Sequence, residues 1–210
     1  MDKQEYLNQI SANNRPVKTG GKLSKIFSSK LFLISVGAVV LLILIAVAGV
    51  AISGSKGNTK RDSYALSMRI SNTMNTINSY QKLVKSSILR SDSASLYSVL
   101  SNTNRDLDSY LAEKYSLKDK EITAVVGEKL TNEIALEKDG LEADLFEAKI
   151  NGNLDRIYAH KMTYAISTIM NDEEKIYNGG SDDKLKTVLS TSYASLENLY
   201  DKISKFSEAK

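Results

Sequence analysis

Twenty-two consecutive residues, Leu31 to Ile52 ("LFLISVGAVVLLILIAVAGVAI"), contain a single polar side chain, that of Ser35. As a helix this run is about 33 Å long, enough to cross a hydrocarbon core of about 30 Å. A helix is also the form one segment can take there, because it satisfies its own backbone groups. A cleaved signal peptide has one point in its favour, the small-x-small triplet Ala46-Val47-Ala48. That triplet lies inside the apolar run, which is much longer than the roughly 7 to 15 residues of an ordinary signal core. The sequence therefore predicts an uncleaved transmembrane signal anchor over 31–52. A lipoprotein is excluded, since the chain has no cysteine.

Charge gives the orientation. Arg15, Lys18, Lys22, Lys25 and Lys30 precede the run, and Lys56, Lys60, Arg61 and Arg69 follow it, so the near flanks are almost balanced. Moving the N-terminal tail outward would carry five positive charges with no acid between residues 6 and 30, whereas a large C-terminal domain crosses largely regardless of charge. The expected arrangement is a cytoplasmic tail (1–30), a short Gly- and Ser-containing tether (53–59) and an extracytoplasmic domain (60–210), in a single-pass protein of the cell membrane. The tail, with Pro16 and a Gly-, Ser- and Lys-rich second half, reads as mostly disordered and attracted to the anionic leaflet.

The formal charge of +3 belongs to that tail, which holds six Lys or Arg against Asp2 and Glu5. Beyond residue 52 there are 22 basic and 23 acidic residues, so the main domain has no electrostatic reason to bind nucleic acid. The absence of cysteine removes disulfides, thiolate metal sites and cysteine nucleophiles.

No proline follows Pro16, and apolar residues recur at helical spacing. The spacing predicts an all-α domain: an up-and-down antiparallel bundle of about five helices joined by short turns. The first is expected near 60–90, carrying Leu66, Ile70, Met74, Ile77, Tyr80, Val84 and Ile88. Ser91 or Asp92 is expected to cap a second, running to about Tyr115 through Leu96, Leu100, Thr103, Leu107, Tyr110 and Leu111. The third, 119–150, carries Ile122, Val126, Leu130, Ile134, Leu141, Leu145 and Ala148, with a kink expected near Gly140. Gly152 suits the left-handed position after a helix end, and a fourth helix follows from Leu154 to about Tyr177. "NGGSDD" at 178–183 ends it, and Ser181 or Asp182 caps a fifth helix carrying Leu185, Leu189, Ser192, Leu196, Leu199, Ile203 and Phe206 in a heptad-like stripe. Residues 53–90 hold seven basic residues against Asp62, and 121–147 hold eight acidic residues against Lys129 and Lys138. These two helices either pack side by side or present solvated faces that never meet.

Few residues invite chemistry. His160 is the only histidine, and position 157 is Ile, so the Glu-x-x-His pairs of di-iron bundles are missing. Glu133, Glu137 and Asp144 share part of one helix face, without the spacing of a calcium loop. Ser79-Tyr80-Gln81-Lys82 and Lys18-Thr19-Gly20 imitate fragments of penicillin-binding enzymes but fall on opposite sides of the expected membrane. "GGKLS" at 20–24 lacks the first glycine and the Ser or Thr of a phosphate loop. Tyr158, Tyr164, Tyr193 and Tyr200 fall beside their stripes as a candidate aromatic partner patch. Gly49 and Ser53 form one small-xxx-small pair, a weak basis for a homo-oligomer.

Two fragments, "EYLNQISA" ahead of the anchor and "EAKINGNLDRIYAHKMTYAI" at 147–166, resemble uncharacterised single-anchor helical membrane proteins of small-genome candidate-phylum bacteria. The resemblance implies a bacterial envelope setting and no particular activity. The expectation is a bitopic protein, not an enzyme, with no catalytic, cofactor or metal residues. Its bundle interacts with another envelope protein or braces a complex. A ligand-sensing bundle working through a partner is the alternative, and an envelope enzyme a more remote one.

Overall fold

The computed structural model describes residues 58–116 and 119–208. The basic tail, the expected anchor over 31–52 and residues 53–57 of the expected tether lie outside them. Among the described residues every regular element is helical and none is a strand. No helix among them is long and apolar enough to cross a membrane.

Six α-helices follow one another: α1 (Thr59–Tyr80), α2 (Ser87–Tyr115), α3 (Asp119–Val126), α4 (Glu128–Ile150), α5 (Leu154–Gly179) and α6 (Asp183–Glu208), with a 3-10 turn at Gln81–Leu83. The count exceeds five because the expected third helix is two. Gly127 adopts φ +85°, which only glycine takes readily, and separates α3 from α4. Gly140, where a kink is expected, does not break the helix and sits inside the continuous α4.

The first helix also stops earlier than its periodicity predicts. The amides of Lys85 and Ser86, which a continued helix would use internally, instead both donate to the Asp155 carboxylate at 2.8 Å. Ser86 then accepts from the Leu89 amide and caps α2. Ser91 and Asp92, the expected caps, are ordinary residues inside α2, and Ile88 is exposed instead of joining the stripe.

Other signals act where expected. Gly152 has φ +74°; its amide reaches the Lys149 carbonyl and that of Asn153 reaches Ala148, closing α4 with paired back-bonds. Asp182 accepts from the Leu185 amide and starts α6. Its hydrogen bonds to Lys114 and to that amide lower its pKa to about 2.

Helices α1, α2, α6 and α5 pack as a ring of four around one core, while α3 lies against α1 and α4 against α1 and α5. Cross-helix bonds fix the directions. Ser67 meets Asp108, Arg69 meets Asp172, and Thr103 meets Ser192, so neighbours in the ring run antiparallel. Arg69 meets Glu137 and Tyr80 meets Glu142, so α4 runs parallel to α1. Helix α4 is displaced from the ring and becomes a fifth helix laid over the α1–α5 edge.

Candidate interaction surface

Helix α4 is where this bundle departs from a simple four-helix core, and its residues explain why it stays attached. At 100° per residue, Ile134, Leu141, Leu145 and Ala148 lie within a narrow arc. Ile134, Leu145 and Ala148 are buried against the core, with Leu141 partly so. Beside that arc the Arg69 guanidinium donates to both oxygens of Glu137 at 2.9 and 3.0 Å and to Asp172 on α5 at 2.6 Å. Burial works against the charged guanidinium, but the bonds and charges of the two carboxylates hold its pKa above the ordinary value. Burial dominates at Asp172 and raises its pKa despite Arg69. The basic first helix and the acidic α4 thus do meet, through this one guanidinium, while most of their other charges face elsewhere.

The remaining acids divide by direction. Asp144 pairs with Lys161 of α5, and Glu142 with Lys138. The three carboxylates singled out in the sequence, Glu133, Glu137 and Asp144, are each answered by a cation: Lys129, Arg69 and Lys161. No group of three His, Asp or Glu among the described residues stands together as metal ligands. Glu128, Asp139 and Glu147 project away from the bundle, are exposed, and have no ion-pair partner among the described residues.

Interleaved with these outward acids is a second apolar strip. Leu136, Ala143 and Ile150 recur every seven residues, diametrically opposite Ile134 and Leu141, with Phe146 one helical turn from Ile150. Leu136 is 70 %, Phe146 56 % and Ile150 69 % exposed, and Ala143 is exposed too. Tyr164 of α5, 67 % exposed, lines the same open groove of about 300 Å³ as Leu136 and Gly140, extending the strip onto the neighbouring helix. The groove's cations, Arg69, Lys161 and Lys138, are already paired with Glu137 and Asp172, with Asp144 and with Glu142.

No protein family, curated protein or solved structure matches this chain.

The tyrosine patch expected from the sequence is not assembled as such: Tyr158 is fully buried, Tyr193 and Tyr200 are half-buried, and Tyr164 alone of the four is well exposed. Burial drives the Tyr158 hydroxyl up to about 12, against a small opposing effect of Ser93. His160 is exposed on α5, and Ser79 donates to the Asn75 carbonyl of its own helix.

The core also holds a carboxylate. Glu173 occupies a stripe position of α5 between Ile169 and Ile176 and is 1 % exposed, and neither of its oxygens has a hydrogen-bond partner among the described residues. Burial pushes its pKa up to about 8; Ser192, near but outside hydrogen-bonding geometry, opposes the rise, and Asp172 adds to it. Close by, the Thr103 hydroxyl donates to Ser192 at 2.9 Å. These residues form a polar layer across α2, α5 and α6, in a core whose commonest side chains are leucine and isoleucine.

Proposed function

We propose that this chain is a single-pass membrane protein anchored by residues 31–52, with the tail of residues 1–30 in the cytoplasm. Its helical bundle then stands outside the membrane and acts as an interaction or structural module of the cell envelope. One observation carries the interaction part: α4 spends one face on its own bundle and leaves an equally regular apolar face exposed. Large apolar residues gathered in one strip on a surface mark association more often than isolated ones do. The membrane part rests on the length and uniformity of the apolar run and on the charges before it.

Protease treatment of intact cells and of spheroplasts, with detection at both termini, tests the topology. The expected result is loss of the C-terminal domain from outside with the tail protected. Protection of the domain together with digestion of the tail would overturn it and move the bundle to the cytoplasm.

A further inference from the structure

We infer that the outer face of α4 docks a basic amphipathic helix of a partner protein. The inference rests on the proposed role of the bundle as an interaction module and names the surface and the chemistry of what it meets. From Leu136 to Ile150 the strip spans about 21 Å, four turns of helix. Its seven-residue spacing is the one that a second helix matches when it packs nearly parallel or antiparallel. Ala143 in the strip is small and Gly140 beside it has no side chain, both are exposed, and a partner backbone can approach there.

Charge selects the occupant. The acids of α4 that turn toward α1 or α5 are answered, Glu137 by Arg69, Asp144 by Lys161 and Glu142 by Lys138, whereas Asp139 and Glu147, which flank the strip, have no ion-pair partner among the described residues. The exposed cations of α4 are Lys129, which precedes the strip and is paired loosely with Glu133 at 3.9 Å, and Lys149, which lies toward the side of the helix, about 100° from the strip's centre. A second copy of the same face would bring like charges together, which is destabilising at helix contacts. A lipid surface favours Lys and Arg beside the apolar residues, the opposite of what α4 carries. A helix with its own apolar strip flanked by Lys or Arg satisfies both features, the apolar residues giving affinity and the charges giving register and partner choice.

The test uses the full-length chain in cells, with a photoreactive amino acid at Ala143 on α4 or, separately, at Ser190, an exposed position of α6. The adducts are digested and the captured peptide is sequenced. The expected result is an adduct from Ala143 whose captured peptide is a Lys- or Arg-rich amphipathic helix. The double variant Asp139→Lys with Glu147→Lys should reduce its yield about tenfold. Neither carboxylate has a partner among the described residues, so the variant should unfold at the unchanged temperature.

An Ala143 adduct mapping to a second copy of this chain, to its own residues 1–30, to lipid alone or to an acidic segment overturns the inference, as does a yield indifferent to the double variant. Protein capture from Ser190 with none from Ala143 removes this surface and leaves the interaction module standing. Capture from neither position removes both.

Discussion

Helices α4 and α6 are nearly equal in length and sit in the same bundle, yet the fold uses them differently. In α6 one stripe runs from Leu185 to Ile203, and every member of it is buried. In α4 two stripes run on opposite faces, and the bundle covers one. Sequence periodicity therefore reports which faces want a partner, and the fold itself supplies a partner for all of α6 and for half of α4. What is left over on α4 is the best clue to what the molecule does.

That contrast can be broken by substitution. Leu196→Ala on α6 removes a fully buried side chain and should cost about 2 to 5 kcal/mol, read as a lowered midpoint in denaturant unfolding of the full-length chain. Phe146→Ser on the outer face of α4 should change that midpoint by no more than about 0.5 kcal/mol. Equal effects would mean that the outer strip belongs to the fold after all.

The polar layer against α6 makes the next largest effect. Glu173 binds a proton more tightly folded than unfolded, its pKa being about 8 in the bundle against an ordinary 4.5. Its protonated form thus favours the fold, and that contribution is complete below about pH 4.5 and lost as pH rises through about 8. Stability should fall across this window by up to about 5 kcal/mol, the equivalent of the shift in pKa. In Glu173→Gln this part of the slope should disappear, a comparison that thermal unfolding at pH 5 and pH 8 makes directly.

Arg69 sharpens the contrast differently, since it holds α4 to the bundle without touching the ring contacts of α6. Arg69→Ala leaves Glu137 and the mostly buried Asp172 without their shared cation and should cost about 1 to 3 kcal/mol. Faster amide exchange should appear in residues 128–150 first and leave 183–208 close to wild type.

The smallest effects separate two glycines on either side of the α4 boundary. Gly127→Ala forces a side chain into φ +85° and should destabilise by about 1 kcal/mol. Gly140→Ala has open space at its Cβ in an exposed helix and should stabilise by about 0.5 to 1 kcal/mol.

Much of this fold is legible in the sequence where one signal acts alone. The α2 and α6 stripes, the Gly152 termination and the Asp182 cap all follow from residues whose local preference and tertiary role agree. Where they compete, the local reading misses. The α1–α2 break depends on Asp155, seventy positions away from Lys85, which takes two amides that helical periodicity would assign to a longer helix. Gly127 and Gly140 are alike in sequence, and the backbone alone distinguishes the one that must be glycine. On α4 one stripe suffices to account for a helix, so the inward stripe is legible and the outer one is not. The seven-residue recurrence of Leu136, Ala143 and Ile150 is the available signal. Glu173 was likewise visible as an acid in an isoleucine stripe, a placement that costs free energy unless the group is kept neutral.

The central claim is that the outer face of α4 is made for a partner, while the stripe of α6 is spent on the fold. Hydrogen exchange of the full-length protein, compared between native membranes and nanodiscs holding it alone, tests that most directly. The account predicts slower exchange in residues 128–150 in native membranes only, with 183–208 equal in both. Equal exchange of α4 in the two settings, or slowing shared alike by α6, would contradict it.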